Sequence, residues 1–430
     1  MPKRKGALSW ALYDWANSAF STTVMAGFFP IFFKDFWSKG QSATESTFWL
    51  GVAVSSASLL VSIMAPMLGA FADRSAARKK SLLCFAWFGS LMTGGLYFVA
   101  AGNWQLAATI YMLACVGFYG ANVFYDALIV SVSDDGDVDI VSGRGYALGY
   151  LGGGVLFLVN VLMVWKPEFF GLRDAEQAKQ LSFLTVAIWW MVFSIPLLLN
   201  VPEPQGGEKM NFLRAAREGF AQLAVTFHEI RKMKVILMFL AAYWLYIDGV
   251  DTIISMSVDF GKAIGFGDTE LITALLMVQF VAFPFAYLLG WMGQKFGAKK
   301  IIMVCIAIYL LVTVMGARMD LHPYEIFGFS INKFYALAFM VGTVQGGIQA
   351  LSRSYYSRLV PKDKAAEFFG FYNMLGKFAA IIGPVLMGTV ARMTGEPRAG
   401  IQSIAILFIL GAILLWRVND VKNRTAEATP

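Results

Sequence analysis

Polar side chains that could carry chemistry lie on one face of the first hydrophobic span. Spaced at steps of three and four, which share one side of an α-helix, are Asp14, Asn17 and Ser21. The second half of the chain repeats this spacing with Asp248, Asp251 and Ser255. A carboxylate in an apolar span is costly, so it should face a bundle interior or a water-filled cavity. A duplicated polar face of this kind is typical of a transporter.

The three carboxylates Asp14, Asp248 and Asp251 are the main candidates for H⁺ coupling or solute contact. Desolvation raises the pKa of a buried carboxyl group and a neighbouring Arg lowers it, so such a group can carry a proton. The alternative is structural, since each Asp could instead pair with Arg or backbone and fix helix packing.

The composition places the chain in a membrane. Of 430 residues, 58% are hydrophobic and 15% are charged, whereas soluble domains have about 25% charged residues. No cleavable signal peptide is expected, because the first span is too long for one. Twelve segments have the length and polarity of membrane spans: 9–33, 48–71, 81–101, 104–130, 146–165, 181–200, 235–259, 270–292, 301–317, 334–356, 366–391 and 399–416.

The net charge of +7 follows membrane topology rather than nucleic-acid binding. Lys and Arg are concentrated in the segments that lie on one side if the N-terminus is inside, which predicts that both termini are cytoplasmic. We expect a multi-pass protein of the cell (inner) membrane.

Polarity is sorted by span. Spans six, nine and twelve have almost no polar groups and should face lipid. Spans four, seven and ten, in contrast, contain many polar residues. Their polar residues are Tyr119, Asn122, Tyr125, Asp126, Tyr243, Tyr246, Asp248, Asp251, Ser255, Gln345, Gln349, Ser352 and Arg353.

Alternatives stay open for three polar residues, Asp126, Arg353 and Lys377. Asp126 could line the cavity or belong to an inner gate, and Arg353 could bind a solute carboxylate or pair with Asp126. In span eleven, Asn373 lies one turn before Lys377, and Lys377 could face the cavity or snorkel. Glycines of spans five and eleven, including Gly149 and Gly383, should allow close helix packing or bending.

The chain divides into two six-span halves. We expect an N-terminal half over 1–200, a cytoplasmic amphipathic linker over 201–234, a C-terminal half over 235–418 and a cytoplasmic tail over 419–430. The loop after the second span of each half contains a glycine, a polar pair and a basic cluster. The first of these loops begins at Gly69 and contains Asp73, Arg74 and Arg78, and the second begins at Gly290.

This loop resembles the signature loop of the major facilitator superfamily, with Gln294 replacing the Asp in the second copy. Within that superfamily the chain is similar to the UMF1 group, related to the vacuolar amino-acid effluxers of autophagy. The resemblance is carried by residues 10–20, 142–153, 345–354 and 367–372.

The resemblance implies an all-α integral membrane protein, a major-facilitator-like bundle of twelve transmembrane helices in two six-helix pseudo-repeats. It also implies that the first and fourth span of each half line a central cavity. A cytoplasmic gate that stabilises the outward-facing state is implied for Gly69, Asp73, Arg74 and Arg78.

Several other kinds of site are not expected. The cysteines lie in apolar spans, so neither a disulfide framework nor a CxxC metal site is predicted, and neither a metal nor a cofactor is expected. No nucleotide-phosphate loop is present. The acidic run Asp135, Asp137 and Asp139 is expected to be a solvated loop.

The sequence favours a secondary active transporter, not an enzyme, that moves a small polar or zwitterionic solute by alternating access with H⁺ coupling. An amino acid or short peptide suits a cavity with both carboxylates and bases. The alternative within transport is an efflux antiporter for organic cations or drugs. A membrane enzyme acting on lipid and a non-transporting receptor are the remaining classes. Nothing in the sequence requires an oligomer, and a monomer is expected.

Overall fold

The computed structural model is almost entirely helical and describes residues 2–40, 43–75, 77–203, 225, 227–326 and 329–418. Most of the predicted amphipathic linker helix and all of the tail 419–430 lie outside the described residues.

The chain forms two compact units. Unit 1 contains Met1–Ser133, Leu148–Leu223 and Asp363–Met374, and unit 2 contains Asp134–Ala147, Ala224–Lys362 and Leu375–Pro430. Two helices are therefore shared between the units. The helix Val138–Trp165 begins in unit 2 and ends in unit 1, whereas the helix Ala365–Thr394 begins in unit 1 and ends in unit 2. The predicted division at the linker stays a prediction.

The helices of the first half are α1 Pro2–Ala19, α2 Phe29–Phe32, α3 Ala43–Ser75, α4 Arg78–Gly95, α5 Trp104–Val132, α6 Val138–Trp165 and α7 Ala175–Asn200. Between α1 and α2 the chain continues as a π-helix over Phe20–Phe28, and a second π-helix covers Phe33–Trp37. The first span is thus one helical segment whose wider turns begin at Phe20 and include Ser21 of its polar face. Such π-turns are frequent at functional sites.

The helices of the second half are α8 Lys234–Ile264, α9 Asp268–Phe296, α10 Ala298–Ala317, α11 Lys333–Leu359, α12 Ala365–Thr394, α13 Pro397–Ser403 and α14 Ala405–Arg417. A short antiparallel hairpin precedes α11, with β1 Tyr324–Ile326 paired to β2 Phe329–Ile331. This hairpin is the one departure from the all-helical prediction among the described residues.

All twelve predicted spans fall on helical segments, and nine helical stretches of the described residues are long and apolar enough to cross a membrane. Exposed apolar side chains recur at helical spacing on α7 and α14, for example Ile188, Val192 and Ile195, or Ile406, Ile409 and Ile413. Such stripes fit contact with lipid, where the apolar surface has no cost. The fold is that of an all-α integral membrane protein.

One lysine in each half caps a distant helix end. Lys79, near the start of α4, donates from Nζ to the carbonyl oxygens of Leu198 at 3.2 Å and Val201 at 2.8 Å, at the end of α7. Lys299, near the start of α10, donates to those of Trp416 at 3.0 Å and Val418 at 2.6 Å, at the end of α14. The last carbonyls of a helix have no partner within it, so a lysine there satisfies them and complements the helix dipole.

Candidate functional site

The polar face of the first span meets α5 in unit 1. The Asn17 side-chain amide donates to Asn122 Oδ1 at 2.7 Å, and the Tyr125 hydroxyl donates to Asp14 Oδ2 at 3.1 Å. Asp14 is 9% exposed and Asn17 is 2% exposed. Four of the predicted site residues therefore form a polar cluster between the first and fourth spans, which is buried except for the half-buried Asn122.

Aromatic packing fixes the orientation of Tyr125 in this cluster. The Trp10 ring stacks on the Tyr125 ring with centroids 4.4 Å apart, and Trp10 Nε1 donates to the Tyr125 carbonyl at 2.8 Å. Tyr13 packs against the same ring at 5.1 Å. Because its ring is held in this way, Tyr125 presents its hydroxyl to Asp14 with little loss of conformational entropy.

The other predicted residues of unit 1 lie around the cluster. Ser21 is half-buried and donates to the Ser18 carbonyl at 3.0 Å, and Tyr119 directs its hydroxyl toward the Met25 sulfur at 3.9 Å. Asp126 is buried and accepts from the Asn373 amide at 2.9 Å. Asp126 and Asn373 thus connect α5 to the first part of α12.

In unit 2 the corresponding helices are α8 and α11. The hydroxyls of Tyr246 and Ser352 are 2.7 Å apart and hydrogen-bonded. Asp248 is 1% exposed, and Asp251, one turn later on the same helix, is half-buried. Gln345 is 7% exposed. Gln349, on the same helix, is half-buried.

Arg353 is 1% exposed and bound to the start of α6. Its Nε donates to Ser142 Oγ at 2.9 Å, one terminal nitrogen donates to the Ser142 carbonyl at 3.1 Å, and its guanidinium lies 4.4 Å from the centre of the Tyr146 ring. Ser142 donates in turn to the Ala350 carbonyl at 2.7 Å. Asp126 was the other partner suggested for Arg353. Asp126 belongs to unit 1 and Arg353 to unit 2, so their pairing stays a prediction.

The predicted gate loop is organised by Asp73, which Arg78 contacts from Nε at 2.7 Å and from a terminal nitrogen at 2.6 Å. The carboxylate also accepts the backbone N–H groups of Ala366 at 3.2 Å and Glu367 at 2.8 Å, in the first turn of α12. Burial raises the pKa of Asp73, whereas Arg78 and these two N–H groups lower it. Asp73 thus acts as an anionic cap on α12.

Gly69 allows this approach, because a Cβ there would overlap the Ala366 carbonyl and lie 2.9 Å from the Glu367 Cα. The side chains of Arg74 and Lys377 lie outside the described side chains, so their assignments stay predictions.

The solvated-loop prediction is wrong for Asp139, although Asp135 and Asp137 are exposed as expected. Asp139 is 1% exposed and accepts two hydrogen bonds from Arg358, each at 2.8 Å, and one from the Ser354 hydroxyl. We call the pair Asp139 and Arg358 with Ser354 the α6–α11 clasp. Helix α6 begins at Val138, eight residues before the predicted span, and this carries Asp139 out of the loop.

Close backbone contact supports the clasp. A Cβ on Gly143 would lie 2.8 Å from the Ala286 carbonyl oxygen and 2.9 Å from the Gly290 Cα, so only glycine lets α6 and α9 meet here. Sequence analysis missed Asp139, Ser142, Ser354 and Arg358. The available signal was the i, i+4 spacing of Ser354 and Arg358, which places both on one face of α11.

Metal binding has no support among the described residues, where no three His, Cys, Asp or Glu side chains are grouped suitably.

The family model described as "Vacuole effluxer Atg22 like" matches residues 2–134 and 130–428. The chain is 38% identical over 409 residues to the "Uncharacterized MFS-type transporter YxiO" of Bacillus subtilis, covering 95% of this chain and 93% of that protein. It is 27% identical over 320 residues to "Autophagy-related protein 22" of Saccharomyces cerevisiae, covering 67% of this chain and 58% of that protein. The match thus spans only a little over half of the yeast relative.

Solved structures of the same fold include the proton:xylose symporter XylE, with a TM-score of 0.69 at 14% identity, covering 97% of this chain and 95% of that one. The human organic anion transporter MFSD10 has a TM-score of 0.73 at 12% identity, covering 96% of this chain and 100% of that one. At these identities the likeness shows the fold alone. With its family model matched over nearly its whole length, the chain belongs to the vacuole effluxer Atg22-like family of the major facilitator superfamily, and it is a multi-pass membrane transporter rather than an enzyme.

Proposed function

We propose that the protein moves a small polar or zwitterionic solute, an amino acid or a short peptide, by alternating access coupled to H⁺. The observation that carries this proposal is the buried cluster of Asp14, Asn17, Asn122 and Tyr125 between the first and fourth spans. The same two helices of the second half carry Tyr246, Ser352, Asp248 and Asp251. The proposed solute and proton contacts are Asp14, Asn17, Ser21, Tyr119, Asn122, Tyr125, Asp126, Tyr246, Asp251, Gln345, Gln349, Arg353, Asn373 and Lys377.

Proton coupling is assigned first to Asp14 and Asp251. The Tyr125 hydroxyl bonded to Asp14 stabilises the ionised carboxylate, and movement of α1 against α5 would remove that donor. Asp251 is half-buried and lies one turn from another carboxylate. Two neighbouring carboxylates readily share one proton, so this pair is suited to taking up H⁺ and releasing it.

Alternating access is supported by the contacts at the helix ends that we propose to be cytoplasmic. Asp73 caps α12 and Asp139 binds Arg358, so in each unit a carboxylate ties two helices drawn from different halves of the chain. These ties would have to break for the cytoplasmic side to open. We place both termini in the cytoplasm and the protein in the cell (inner) membrane, in accord with the Lys and Arg distribution.

Efflux of organic cations is the second candidate, and the surroundings of Arg353 favour it. This guanidinium is already bound by Ser142 and stacked on Tyr146, so it is less available for a solute carboxylate. Carboxylates and aromatic rings, such as Asp14 beside Tyr125, suit a cation. The family description names efflux, which fits both candidates.

The test is counterflow of labelled amino acids and short peptides in proteoliposomes, with and without an imposed pH gradient. The proposal predicts exchange of one solute class that the gradient accelerates and that Asp251→Asn uncouples. Glu168→Gln is the matched control, because it removes an exposed carboxylate outside the helices of the site.

Two outcomes would contradict the proposal, the first its amino-acid assignment and the second its residue assignments. If the panel gives no counterflow but quaternary ammonium compounds do, the solute is an organic cation. If Asp251→Asn and Arg353→Gln both leave exchange of the identified solute unchanged, neither residue takes part in transport.

A further inference from the structure

Asp248 contacts the backbone of another helix directly. Its two carboxylate oxygens accept the Gly383 backbone N–H of α12 at 2.9 Å and 3.1 Å. One turn further along α8, the Thr252 hydroxyl donates to the Asp248 carbonyl at 2.6 Å. Pro384 follows Gly383 inside α12, and a proline there removes one helical hydrogen bond and crowds the preceding turn. Asp248 is thus bound to the residue that precedes the proline inside α12.

Only glycine fits at this contact. A Cβ on Gly383 would overlap the Thr252 hydroxyl and lie 2.8 Å from Asp248 Oδ1. The close approach of α8 to α12 therefore depends on a missing side chain at position 383 and on a small group at position 252.

The first half contains the same set of groups. Asp14 and Ser18, spaced like Asp248 and Thr252, face Gly149 of α6, where a Cβ would lie 2.7 Å from Ser18 Oγ and 3.3 Å from Asp14 Cγ. Each of these three residues precedes its counterpart by the same number of positions. A carboxylate, a hydroxyl four residues later and a glycine on the fifth span of the half have therefore been brought together twice.

The two copies differ in what holds the carboxylate. Asp14 accepts from the Tyr125 hydroxyl, and no proline follows Gly149. In the part of the chain that is described, no Lys or Arg side chain lies within ion-pair distance of Asp248. Its carboxylate accepts from the Gly383 N–H, and the Thr252 hydroxyl lies 3.5 Å from Oδ1. A hydrogen bond to an ionised acceptor is about twice as strong as a neutral one. The tie to α12 is therefore strong only while Asp248 carries its charge.

We propose that Asp248, Thr252 and Gly383 form a charge-dependent joint that fixes α12 just before Pro384, and that Asp248 is a positioning residue of the transport cycle. The inference rests on the proposed function only in linking this joint to transport. Helix α12 also carries the contacts of Asp73 and Asp126, at Ala366, Glu367 and Asn373. Neutralising Asp248 loosens the turn before Pro384 in the helix that bears these contacts.

The first test needs no solute. Hydrogen exchange of purified protein in lipid nanodiscs is measured at the amides of residues 379–383, for wild type and for Asp248→Asn. Loss of the charged acceptor should accelerate exchange there about tenfold, the difference expected between a charged and a neutral hydrogen-bond partner. Gly388→Ala is the control on the same helix, because a Cβ there meets nothing within 4 Å. Unchanged exchange in Asp248→Asn overturns the joint.

The second test uses steric compensation and does not depend on the isosteric variant. Gly383→Ala should accelerate exchange in the same segment, and Thr252→Ala in the Gly383→Ala background should restore it, because the overlapping hydroxyl is removed. Wild-type exchange in Gly383→Ala would contradict the proposed contact. So would a double variant whose exchange is no closer to wild type than that of Gly383→Ala.

Transport separates positioning from solute binding. For the first labelled amino acid of the panel that gives counterflow, Asp248→Asn should lower the maximal rate and leave the half-saturating concentration unchanged. A changed half-saturating concentration with an unchanged maximal rate would mean that Asp248 contacts solute, which overturns the positioning role. If no panel member is transported, only the proposed function fails. The hydrogen-exchange results still decide whether Asp248, Thr252 and Gly383 form the proposed joint.

Discussion

Replacing Arg358 with Gln should free the start of α6. The substitution removes both nitrogen donors from Asp139, which is 1% exposed, and leaves the Ser354 hydroxyl in place. A carboxylate that loses its charged partner while still buried keeps the desolvation penalty and loses the compensation for it.

The magnitude follows from the burial of the two partners. Removing one member of a fully buried pair costs about 3–5 kcal/mol. Arg358 is 15% exposed, the Ser354 donor remains, and Asp139 lies in the first turn of α6 where the helix dipole favours an anion. We therefore expect a loss at or below the lower limit of that range, about 2–3 kcal/mol of local stability.

Hydrogen exchange of residues 134–147 measures this local stability. A loss of about 2–3 kcal/mol corresponds to roughly 30- to 150-fold faster exchange, since each tenfold change equals about 1.4 kcal/mol. Asp139→Asn and the double variant Asp139→Asn with Arg358→Gln complete a cycle that isolates the pair from other effects. Lys362→Gln is the control, because its ion pair with Asp135 is exposed on both sides.

The reasoning is refuted by a small coupling energy. If the double variant exchanges as fast as the two single effects added together, Asp139 and Arg358 do not act on each other and the segment is held by something else. A control variant that accelerates exchange as much as Arg358→Gln would show that surface charge, rather than the buried pair, is responsible.

Three further substitutions test other contacts. Gly69→Ala should lower the stability of the contact with α12 by about 1–3 kcal/mol, because the new methyl group overlaps backbone; thermal unfolding in detergent checks this, and an unchanged melting temperature contradicts it. Lys299→Ala should cost about 1 kcal/mol through loss of the cap on α14, whereas exposed Lys300→Ala should change the melting temperature little, and equal effects would argue against capping. The hydrogen bond from Lys333 lowers the pKa of Asp320, so their contact is present at neutral pH and is lost as the pH falls through that lowered value. Hydrogen exchange in residues 320–326 should therefore rise in acid in wild type but not in Asp320→Asn. Matching pH profiles for the two proteins would contradict this prediction.

Hydrophobic periodicity was sufficient to predict the spans and the polar face of the first of them. The contacts of Asn17 with Asn122 and of Asp14 with Tyr125 join residues that were singled out because polar groups in an apolar span must find partners inside the protein. The placement of these residues on the first and fourth spans needed only helical spacing together with the resemblance to a known fold.

The roles of Asp139 and Arg353 could not be predicted in this way. Asp139 lies next to exposed acidic residues, and its burial depends on Arg358, more than two hundred positions away. Arg353 has the depth of a cavity residue, but its partner Ser142 comes from a helix that begins earlier than its hydrophobic stretch. Pairing between distant polar residues leaves no periodic signal in a single sequence. The sequence analysis likewise did not predict the π-helix at Phe20–Phe28.

The lysine caps set an order for assembly of the chain in the membrane. Lys79 leaves the ribosome long before Leu198 and Val201, so its amino group has no carbonyl partner until the sixth span has been made. Lys299 waits in the same way for the last span. Each lysine contact therefore forms only after the last helix of its half has been made. A nascent chain that ends before Leu198 leaves Lys79 without these carbonyl acceptors. The first half can complete this step while the second is still being synthesised.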